Sequence, residues 1–471
     1  MSASTLKIKV EGKNIFPAQT DGSSNVFGDG EFVLARMRWM EDSEAVMCNL
    51  CCNKFNQFRR KHHCRVCGRV TCNKCCKEKV PLPHLGYPDP ERVCEECLTV
   101  TQLISKSRSH ILSFQIEAAD GLYKELQDPK GMVQIVQLGG IQTLIYLARL
   151  DNIDIRKHTA AGIHILSTNP ALHATLAGAG AIKALCSLLR RSQTSEEQTI
   201  IDCISALRIF CKSAELKMKA IDDGVLQPVL SLCSAREEIA LLVVMILSLI
   251  VEHHGTHTAV IENDRNALPR ILDLTSSQDE QMQEVALRTL ALLSMGTDQH
   301  KQRLVQEDYA RGKCFTAAVR RKPKNTQVVC NVACLLANLA ALPEQNQNAL
   351  QDYLCCACEM LSEYSSLNNV MGHVSRAIAN FAKHQIHTHK LLEHLNTIIT
   401  LFLKSTTVSI QYQGIRAVLY LLSHSTEITT TALLREGATD VLCGIAHIPG
   451  VINAVQAAIL LNVPDTDKPN P

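Results

Sequence analysis

Ten of the chain's 21 cysteines lie in one short stretch, and their spacing indicates metal binding. Eight of them form four Cys-x-x-Cys pairs, namely Cys48/Cys51, Cys64/Cys67, Cys72/Cys75 and Cys94/Cys97. Pairs at this spacing are typical zinc ligands, and eight thiolates suffice for two closed tetrahedral sites. We therefore expect two zinc ions per chain. They would supply most of the folding free energy of a segment too small to bury a large core.

A cationic block surrounds the second and third cysteine pairs. Nine Lys and Arg residues lie between Lys54 and Lys79, opposed only by Glu78. The whole chain has 48 basic and 46 acidic residues, so the excess of positive charge is local. Arg offers a bidentate fork and Lys a point charge, both of which suit phosphate. The sequence therefore predicts a binding site for a multiply charged anion.

Three motifs in this region resemble the signature motifs of the FYVE zinc finger. They are Trp39-x-x-Asp42, Arg60-Lys61-His62-His63-Cys64-Arg65 and Arg92-Val93-Cys94. The resemblance covers residues 39–98 and implies cross-braced zinc sites, in which the first and third cysteine pairs share one ion. One zinc would then be held by Cys48, Cys51, Cys72 and Cys75, and the other by Cys64, Cys67, Cys94 and Cys97.

The same resemblance implies binding of phosphatidylinositol 3-phosphate on early endosomal membranes. The resemblance implies that Arg60, Arg65 and Arg92 contact the 3-phosphate and that Lys61 faces the 1-phosphate. The inositol hydroxyls would be read by Asp42, His62 and His63. The family also inserts an apolar loop into the bilayer. Only Phe58 is apolar in the matching loop, so we expect shallow insertion.

Several of these residues have a second interpretation. Cys52 and Cys76 adjoin the ligand pairs and could be alternative ligands, although their spacing favours ordinary thiols. His62 or His63 could bind zinc, as in a RING-type finger, but eight cysteines already complete two sites. The basic block could be a solvated face, but its position within a metal-braced signature favours a ligand site.

Beyond the cysteine-rich stretch, the sequence indicates a helical repeat array. Apolar residues recur at helical spacing, as from Val285 to Leu293, and similar segments return about every forty residues. Glycine turns at Gly139, Gly180 and Gly224 open short helices. The Ala-rich long helices fall at Ala160–Leu166, Ser205–Phe210, Ala286–Leu293, Ala333–Ala340, Ala377–Ala382, Ala417–Leu422 and Ala457–Leu461.

These repeats resemble armadillo or HEAT units. The predicted fold is thus a small zinc-stabilised FYVE-like finger followed by an all-α armadillo/HEAT-like solenoid. We expect a flexible segment at residues 1–38, the finger at 39–98, a helical linker at 99–130, repeats at 131–463 and a disordered tail at 464–471. No signal peptide is expected, because residues 1–20 are mixed and polar.

The predicted repeats contain two candidate peptide-binding residues. Asn338 and Asn380 occupy matching Ala-Asn-x-Ala motifs, and a ladder of such amides can bind an extended peptide backbone. They could equally satisfy neighbouring helix ends or loops. The cysteines of the helical part are expected to be small buried hydrophobes in a reducing compartment.

These observations favour a non-enzymatic adaptor on the cytoplasmic surface of early endosomes. Its finger would bind the lipid, and its repeats would recruit a protein partner of unknown identity. The alternative is a RING-like ubiquitin ligase that uses the zinc module. Nucleic-acid binding is not expected, because the repeats are nearly neutral and the basic block has no interleaved aromatic residues.

Overall fold

The computed structural model describes residues 7–232, 235–263, 267–403 and 405–438. The chain divides into two compact units, residues 1–250 and 251–471. The expected helix at Ala457–Leu461 and the tail at 464–471 lie outside the described residues. Among the residues described, no single helix is both long and apolar enough to cross a membrane. Two pairs of consecutive helices, each bent at the break between them, reach that length and composition only when the two helices are taken together.

The N-terminal part of the first unit contains short antiparallel hairpins. β1 (Ile8–Val10) pairs with β2 (Lys13–Ile15), β3 (Lys61–His63) with β4 (Val70–Cys72), and β5 (Glu78–Val80) with β6 (Glu91–Val93). Isolated two-stranded hairpins are marginally stable at best in water. The two hairpins between Lys61 and Val93 therefore depend on the cysteine clusters beside them.

The remainder of the first unit is helical. Its helices are α1 (Val26–Asp29), α2 (Glu95–Ser107), α3 (Leu112–Glu125), α4 (Pro129–Leu138), α5 (Gly140–Leu147), α6 (Ile153–Ser167), α7 (His173–Ala179), α8 (Ala181–Arg191), α9 (Glu197–Cys211), α10 (Ala214–Asp222), α11 (Leu226–Leu230) and α12 (Glu237–Ile250).

The second unit repeats the same alternation of short and long helices. Its α-helices are α13 (Ala267–Leu274), α14 (Glu280–Leu293), α15 (Asp298–Ala310), α16 (Cys314–Arg320), α17 (Thr326–Leu339), α18 (Gln351–Glu363), α19 (Asn368–Ala382), α20 (Thr388–Glu393), α21 (Leu395–Ile398), α22 (Val408–His424) and α23 (Thr426–Arg435). π-helical turns occupy Ala259–Asn263 and Ile399–Leu403.

The long helix of each repeat forms the core with the long helices beside it. In the first unit α6 packs against α9, and α9 against α12; in the second, α14, α17, α19 and α22 pack in succession. Buried Leu, Ile, Val and Ala side chains fill the space between them. The six described Ala-rich segments coincide with α6, α9, α14, α17, α19 and α22, which confirms the predicted helical array.

Glycine ends one helix and starts the next at the predicted turns. Gly139 separates α4 from α5 at φ 96°, and Gly180 separates α7 from α8 at φ 93°. This left-handed conformation is readily available to glycine. In the turn before α16 both Gly312, at φ 82°, and Lys313, at φ 63°, have this left-handed conformation, so the residue directly before that helix is not glycine.

Residues 7–38 belong to the segment that the sequence predicts to be flexible, and part of it makes hydrogen bonds with distant parts of the first unit. The segment 17–36, termed the strap, lies between the finger and the first helices. The Ala18 amide donates to the Val136 carbonyl at 2.9 Å, and the Leu34 amide donates to the His84 carbonyl at 2.7 Å. The Arg108 side chain donates to the Phe32 carbonyl at 2.8 Å. The strap is ordered because backbone groups distant in sequence satisfy its hydrogen bonds.

Leu34 anchors the strap in the core and is only 4% exposed. A Cβ built on Gly139 would lie 2.3 Å from Leu34 Cδ1, so this turn needs glycine for space as well as for backbone conformation. Helix α2 also crosses the expected boundary at residue 98 and packs against α3, α4 and α5. The finger and the first repeats are therefore parts of one compact unit.

The strap predicts a measurable dependence of stability on Leu34. We expect Leu34→Ala to lower the free energy of unfolding of the first unit by about 2–5 kcal/mol, because it leaves a cavity in a packed site. Denaturant unfolding followed by helical circular dichroism measures this change. The matched control is Leu112→Ala, since Leu112 is 50% exposed. Equal midpoints for both variants would contradict the packing role of the strap.

Candidate functional site

The first cysteine cluster joins two loops that are distant in sequence. Its members are Cys48, Cys51, Cys72 and Cys75, whose Sγ atoms all lie within 4.8 Å of one another. The Cys52 amide donates to the Cys48 carbonyl at 2.9 Å, closing a tight turn around the first pair. Hydrogen bonds from the Asn53 backbone and side chain lower the pKa of Cys51 to about 6. That shift favours the thiolate form, which is the form that binds metal.

The second cluster ties the β3–β4 turn to the start of helix α2. Its members are Cys64, Cys67, Cys94 and Cys97, again with Sγ atoms within 4.8 Å of one another. Cys94 is the N-cap of α2, and Cys97 lies in its first turn. The positive end of a helix dipole favours thiolates at this position.

Each cluster supplies four thiolates, the donor set of a closed tetrahedral zinc site. The two clusters fit two zinc ions, and they confirm the pairing of the first with the third and the second with the fourth cysteine pair. Cys52 and Cys76 belong to neither cluster. Cys52 is exposed, whereas Cys76 is buried with its thiol near the His63 carbonyl.

The metal-braced hairpins carry the predicted ligand-binding side chains. Strand β3 contains Lys61, His62 and His63, and strand β6 contains Arg92. The Arg65 amide donates to the Arg92 carbonyl at 3.0 Å, which joins the β3–β4 turn to β6. The structure therefore brings the second and third motifs of the sequence onto one surface.

The first motif closes over His63. Trp39 stacks on the His63 ring, with centroids 4.1 Å apart and an interplanar angle of 15°. His63 Nε2 donates to the Met40 carbonyl at 2.9 Å and lies 3.7 Å from a carboxylate oxygen of Asp42. His63 is thus oriented by the Trp39–Asp42 segment and is not a member of either metal cluster.

Two arginines of the surface are held by groups that the sequence did not reveal. Arg65 pairs with Glu91 at 3.1 Å, and its guanidinium carbon lies 4.9 Å from the centre of the Trp39 ring. Arg92 donates to the Asn73 side chain at 2.9 Å and to the Cys76 carbonyl at 2.7 Å. These contacts orient both guanidinium groups before any anion arrives. The sequence does not identify Glu91 and Asn73 as partners of Arg65 and Arg92, because the paired residues lie on different turns.

The electrostatics of this surface favour an anion. Partial burial, followed by the nearby charges of Arg92 and Arg60, lowers the pKa of His62. The Lys61 ammonium donates to the Asp42 carbonyl at 2.6 Å, so it adds positive charge to the same edge. A bound phosphate would relieve the mutual repulsion of these groups.

Apolar side chains project from the loops next to the cationic block. Phe58 is 97% exposed, and Val46 is 70% exposed. The Phe55 amide donates to the Val46 carbonyl, and Met47 forms a bridge with Lys54, so the two loops are paired. Phe58 was expected from its position in the loop, whereas Val46 precedes the first cysteine pair, lies outside the motifs and was not expected.

The two candidate groove asparagines connect neighbouring long helices. Asn338 donates to the Ser294 hydroxyl at 2.9 Å, and Asn380 donates to the Ala337 carbonyl at 3.0 Å. The Asn380 carbonyl oxygen also accepts from Arg416 at 3.2 Å. Both amides thus hydrogen-bond to the preceding repeat, and peptide binding by them stays a prediction.

The fold and the site together define a zinc finger joined to an armadillo-like helical array. Residues 38–103 match the model of the FYVE zinc finger family. The chain is 45% identical over 64 residues to Lateral signaling target protein 2 homolog of Brugia malayi, which is 14% of this chain and 10% of that protein. It is 47% identical over 62 residues to RUN and FYVE domain-containing protein 1 of Homo sapiens, or 13% of this chain and 8% of that protein.

A further relative is the 1-phosphatidylinositol 3-phosphate 5-kinase of Homo sapiens. It is 44% identical over 59 residues, which is 12% of this chain and 3% of the kinase. The kinase resembles this chain only in the FYVE region. The chain thus spans a tenth or less of the length of these three relatives.

The crystal structure of an engineered protein resembles the chain over a larger part. It covers 78% of this chain and 95% of its own, with a TM-score of 0.60 and 21% sequence identity. At this identity the likeness concerns the fold alone. Residues 38–103 are accordingly a FYVE zinc finger, and the helices beyond it form armadillo-like repeats.

Zinc content tests the assignment of the clusters. We expect two zinc ions in the intact chain and one or none after Cys64→Ser, because the second cluster loses a thiolate. Cys52→Ser is the matched control and should keep two, since Cys52 lies outside both clusters. Elemental analysis of the folded proteins measures the content. Two zinc ions retained by Cys64→Ser would contradict the cluster.

Proposed function

We propose that the finger binds phosphatidylinositol 3-phosphate on early endosomal membranes and that the helical repeats recruit a protein partner there. The single observation that carries the lipid proposal is the joining of two basic segments: Arg60, Lys61 and Arg65 lie in or beside strand β3, and the Arg65 amide donates to the carbonyl of Arg92 in β6. The FYVE match supports this choice of lipid, as does the similarity to a kinase named for phosphatidylinositol 3-phosphate.

The orientation of the arginines supports recognition of a phosphate monoester. Contacts with Trp39, Asn73 and the Cys76 carbonyl hold Arg65 and Arg92 in place, which lowers the entropy lost when a ligand binds. Glu91 occupies part of the Arg65 fork until a phosphate replaces it or shares the guanidinium. Asp42 and His63 lie at the edge of the surface, where an acceptor and an imidazole can contact sugar hydroxyls.

The exposed apolar tip supports binding at a bilayer surface. Phe58 and Val46 lie on paired loops next to Lys54 and Arg59. An apolar side chain entering the headgroup region is stabilised by burial, and the adjacent cations attract anionic lipid. We therefore propose that this tip inserts while the cationic surface holds the phosphate.

The proposal for the repeats rests on their architecture. Stacked helical repeats expose extended surfaces that commonly bind proteins. The finger would then determine which membrane the protein binds, and the repeats would determine which partner protein is recruited to that membrane.

Substitution of Arg65 tests headgroup recognition. We expect Arg65→Ala to weaken binding to vesicles containing phosphatidylinositol 3-phosphate by roughly ten- to a hundredfold, because a charge-assisted contact of about 1.5–3 kcal/mol is lost. Vesicle sedimentation measures the affinity, with the 4-phosphate isomer as the lipid control. Arg69→Ala also removes one positive charge from the finger. Because Arg69 pairs with Glu96, the affinity of this variant for the vesicles should change little. If both variants bind alike, or both lipids are bound equally, the pocket is assigned incorrectly.

Substitution of Phe58 tests insertion separately from headgroup binding. Phe58→Ser should weaken vesicle binding by roughly tenfold or more, because burial of the ring contributes about 1.5–3 kcal/mol. Affinity for the soluble headgroup inositol 1,3-bisphosphate should stay unchanged in calorimetry. Ile111→Ser is the control, since Ile111 is 54% exposed but lies outside the finger. A parallel loss of headgroup affinity would argue for misfolding of the loop instead.

A further inference from the structure

A second group of metal-ligating side chains lies in the helical repeats, far in sequence from the cysteine clusters. His257 and His300 are 1% and 6% exposed, respectively. Their rings lie 6.2 Å apart between centroids. Both residues belong to the second unit, one before its π-helical turn Ala259–Asn263 and the other in α15.

The hydrogen bonds of the two rings determine their tautomers. His257 Nε2 lies 2.9 Å from the Val251 carbonyl, which can only accept, so Nε2 carries the proton. His300 Nε2 lies 3.2 Å from a Glu262 carboxylate oxygen and 3.3 Å from the Thr258 hydroxyl. The carboxylate likewise favours a proton on Nε2. In its neutral form each ring therefore has its lone pair on Nδ1.

Both lone pairs are buried and have no protein donor. Within the described part of the chain, no group hydrogen-bonds to Nδ1 of His257 or His300. A buried acceptor without a partner costs about 1–3 kcal/mol. Two such atoms side by side indicate a site for a ligand that accepts electron pairs or donates protons.

The Nδ1 atoms converge beside Gly296, in the turn between α14 and α15. A Cβ built on Gly296 would lie 2.5 Å from His300 Nδ1, 3.0 Å from His257 Nδ1 and 3.1 Å from the Leu293 carbonyl oxygen. The two Nδ1 atoms are therefore at most 5.5 Å apart, which is the sum of the first two distances. One zinc ion binds two histidine nitrogens at about 2.0–2.1 Å each, or at most about 4.2 Å apart.

We propose that His257 Nδ1 and His300 Nδ1 bind one divalent transition-metal ion of the zinc type, with the Leu293 carbonyl at the edge of the site. Imidazole is a preferred ligand of such ions. Metal-binding histidines commonly donate their other N–H to a carbonyl or a carboxylate, as these two do to Val251 and Glu262. Glu262 also offsets part of the charge of the ion. The site is independent of the lipid-binding finger.

An equivalent histidine in the first unit shows which part of this arrangement is repeated. His173 Nε2 donates to the Ser167 carbonyl at 2.7 Å, six residues back, as His257 does to Val251. The His173 ring meets Phe210 edge to face at 5.4 Å, where His257 has a second imidazole nearby. Carbonyl capping by histidine is therefore a recurrent feature, whereas the His257–His300 pair adds the metal-ligand geometry.

Metal binding by the full chain tests the proposal. After both finger sites are filled with zinc, Co²⁺ is added and its binding is followed by visible absorption and by cobalt-edge X-ray absorption. We expect one further equivalent per chain, with nitrogen and oxygen ligands and without sulfur. His257→Ala and His300→Ala should each weaken this binding by at least about tenfold, because one of two imidazoles is lost. His173→Ala should bind like the unmodified chain.

Gly296→Ala provides a variant that keeps both imidazoles. Its methyl carbon would enter the space in front of both Nδ1 atoms, so the additional equivalent should be lost. If a variant fails to fold, the number of Co²⁺ equivalents bound by the unmodified chain still tests the proposal. Absence of an additional equivalent in the unmodified chain would overturn the proposal and leave a water molecule as the partner of the two nitrogens. Binding that persists in folded His257→Ala and His300→Ala would overturn it as well.

Discussion

The finger depends on thiolate–metal bonds that replace a hydrophobic core. Its hairpins have strands of three residues, and such hairpins are not stable alone. The cysteine clusters hold the β3–β4 turn, the β6 strand and the start of α2 in one arrangement. The cationic surface is rigid for that reason, because Arg65 and Arg92 lie beside the ligands Cys64 and Cys94. Loss of the metal would therefore separate the basic side chains that form the proposed lipid-binding site.

The strap extends this constraint from the finger to the repeats. Helix α2 begins at the second metal cluster and packs on the first helices of the array, while the strap bonds to both sides. Arg108 adds to the junction, since its guanidinium lies over both Phe32 and Tyr146. The repeats themselves need no metal for their fold, because adjacent long helices bury a continuous apolar core. The two parts of the first unit are thus stabilised by different forces and joined by hydrogen bonds and packing.

Charged groups are balanced differently in the finger and in the repeats. In the repeats, the buried cation Arg156 has a carboxylate partner, Glu196, at 2.8 Å. On the finger surface the charges of Arg60 and Arg92 both act on His62, and Glu91 pairs with Arg65. An excess of charge at a rigid surface is costly unless an anion binds. This contrast is the physical reason for placing ligand recognition in the finger.

The sequence by itself determined the features whose chemistry is local. Cys-x-x-Cys spacing places two thiolates on one turn, so the eight zinc ligands could be read directly. Gly139 and Gly180 indicated helix boundaries, because the left-handed backbone conformation strongly favours glycine. Helical periodicity likewise predicted the repeats without knowledge of their packing.

Only the tertiary structure decided features that join residues distant in sequence. The contacts of the strap could not be inferred from the sequence, because its hydrogen-bond partners, such as Val136, lie about a hundred residues away. Glu91 and Asn73 could not be recognised as partners of Arg65 and Arg92 before the hairpins were folded. The contact of Asn338 with Ser294 likewise depends on the packing of neighbouring repeats. The convergence of His257 and His300 depends on the packing of separate helices, since the direction of a lone pair is set by tertiary hydrogen bonds and not by residue spacing.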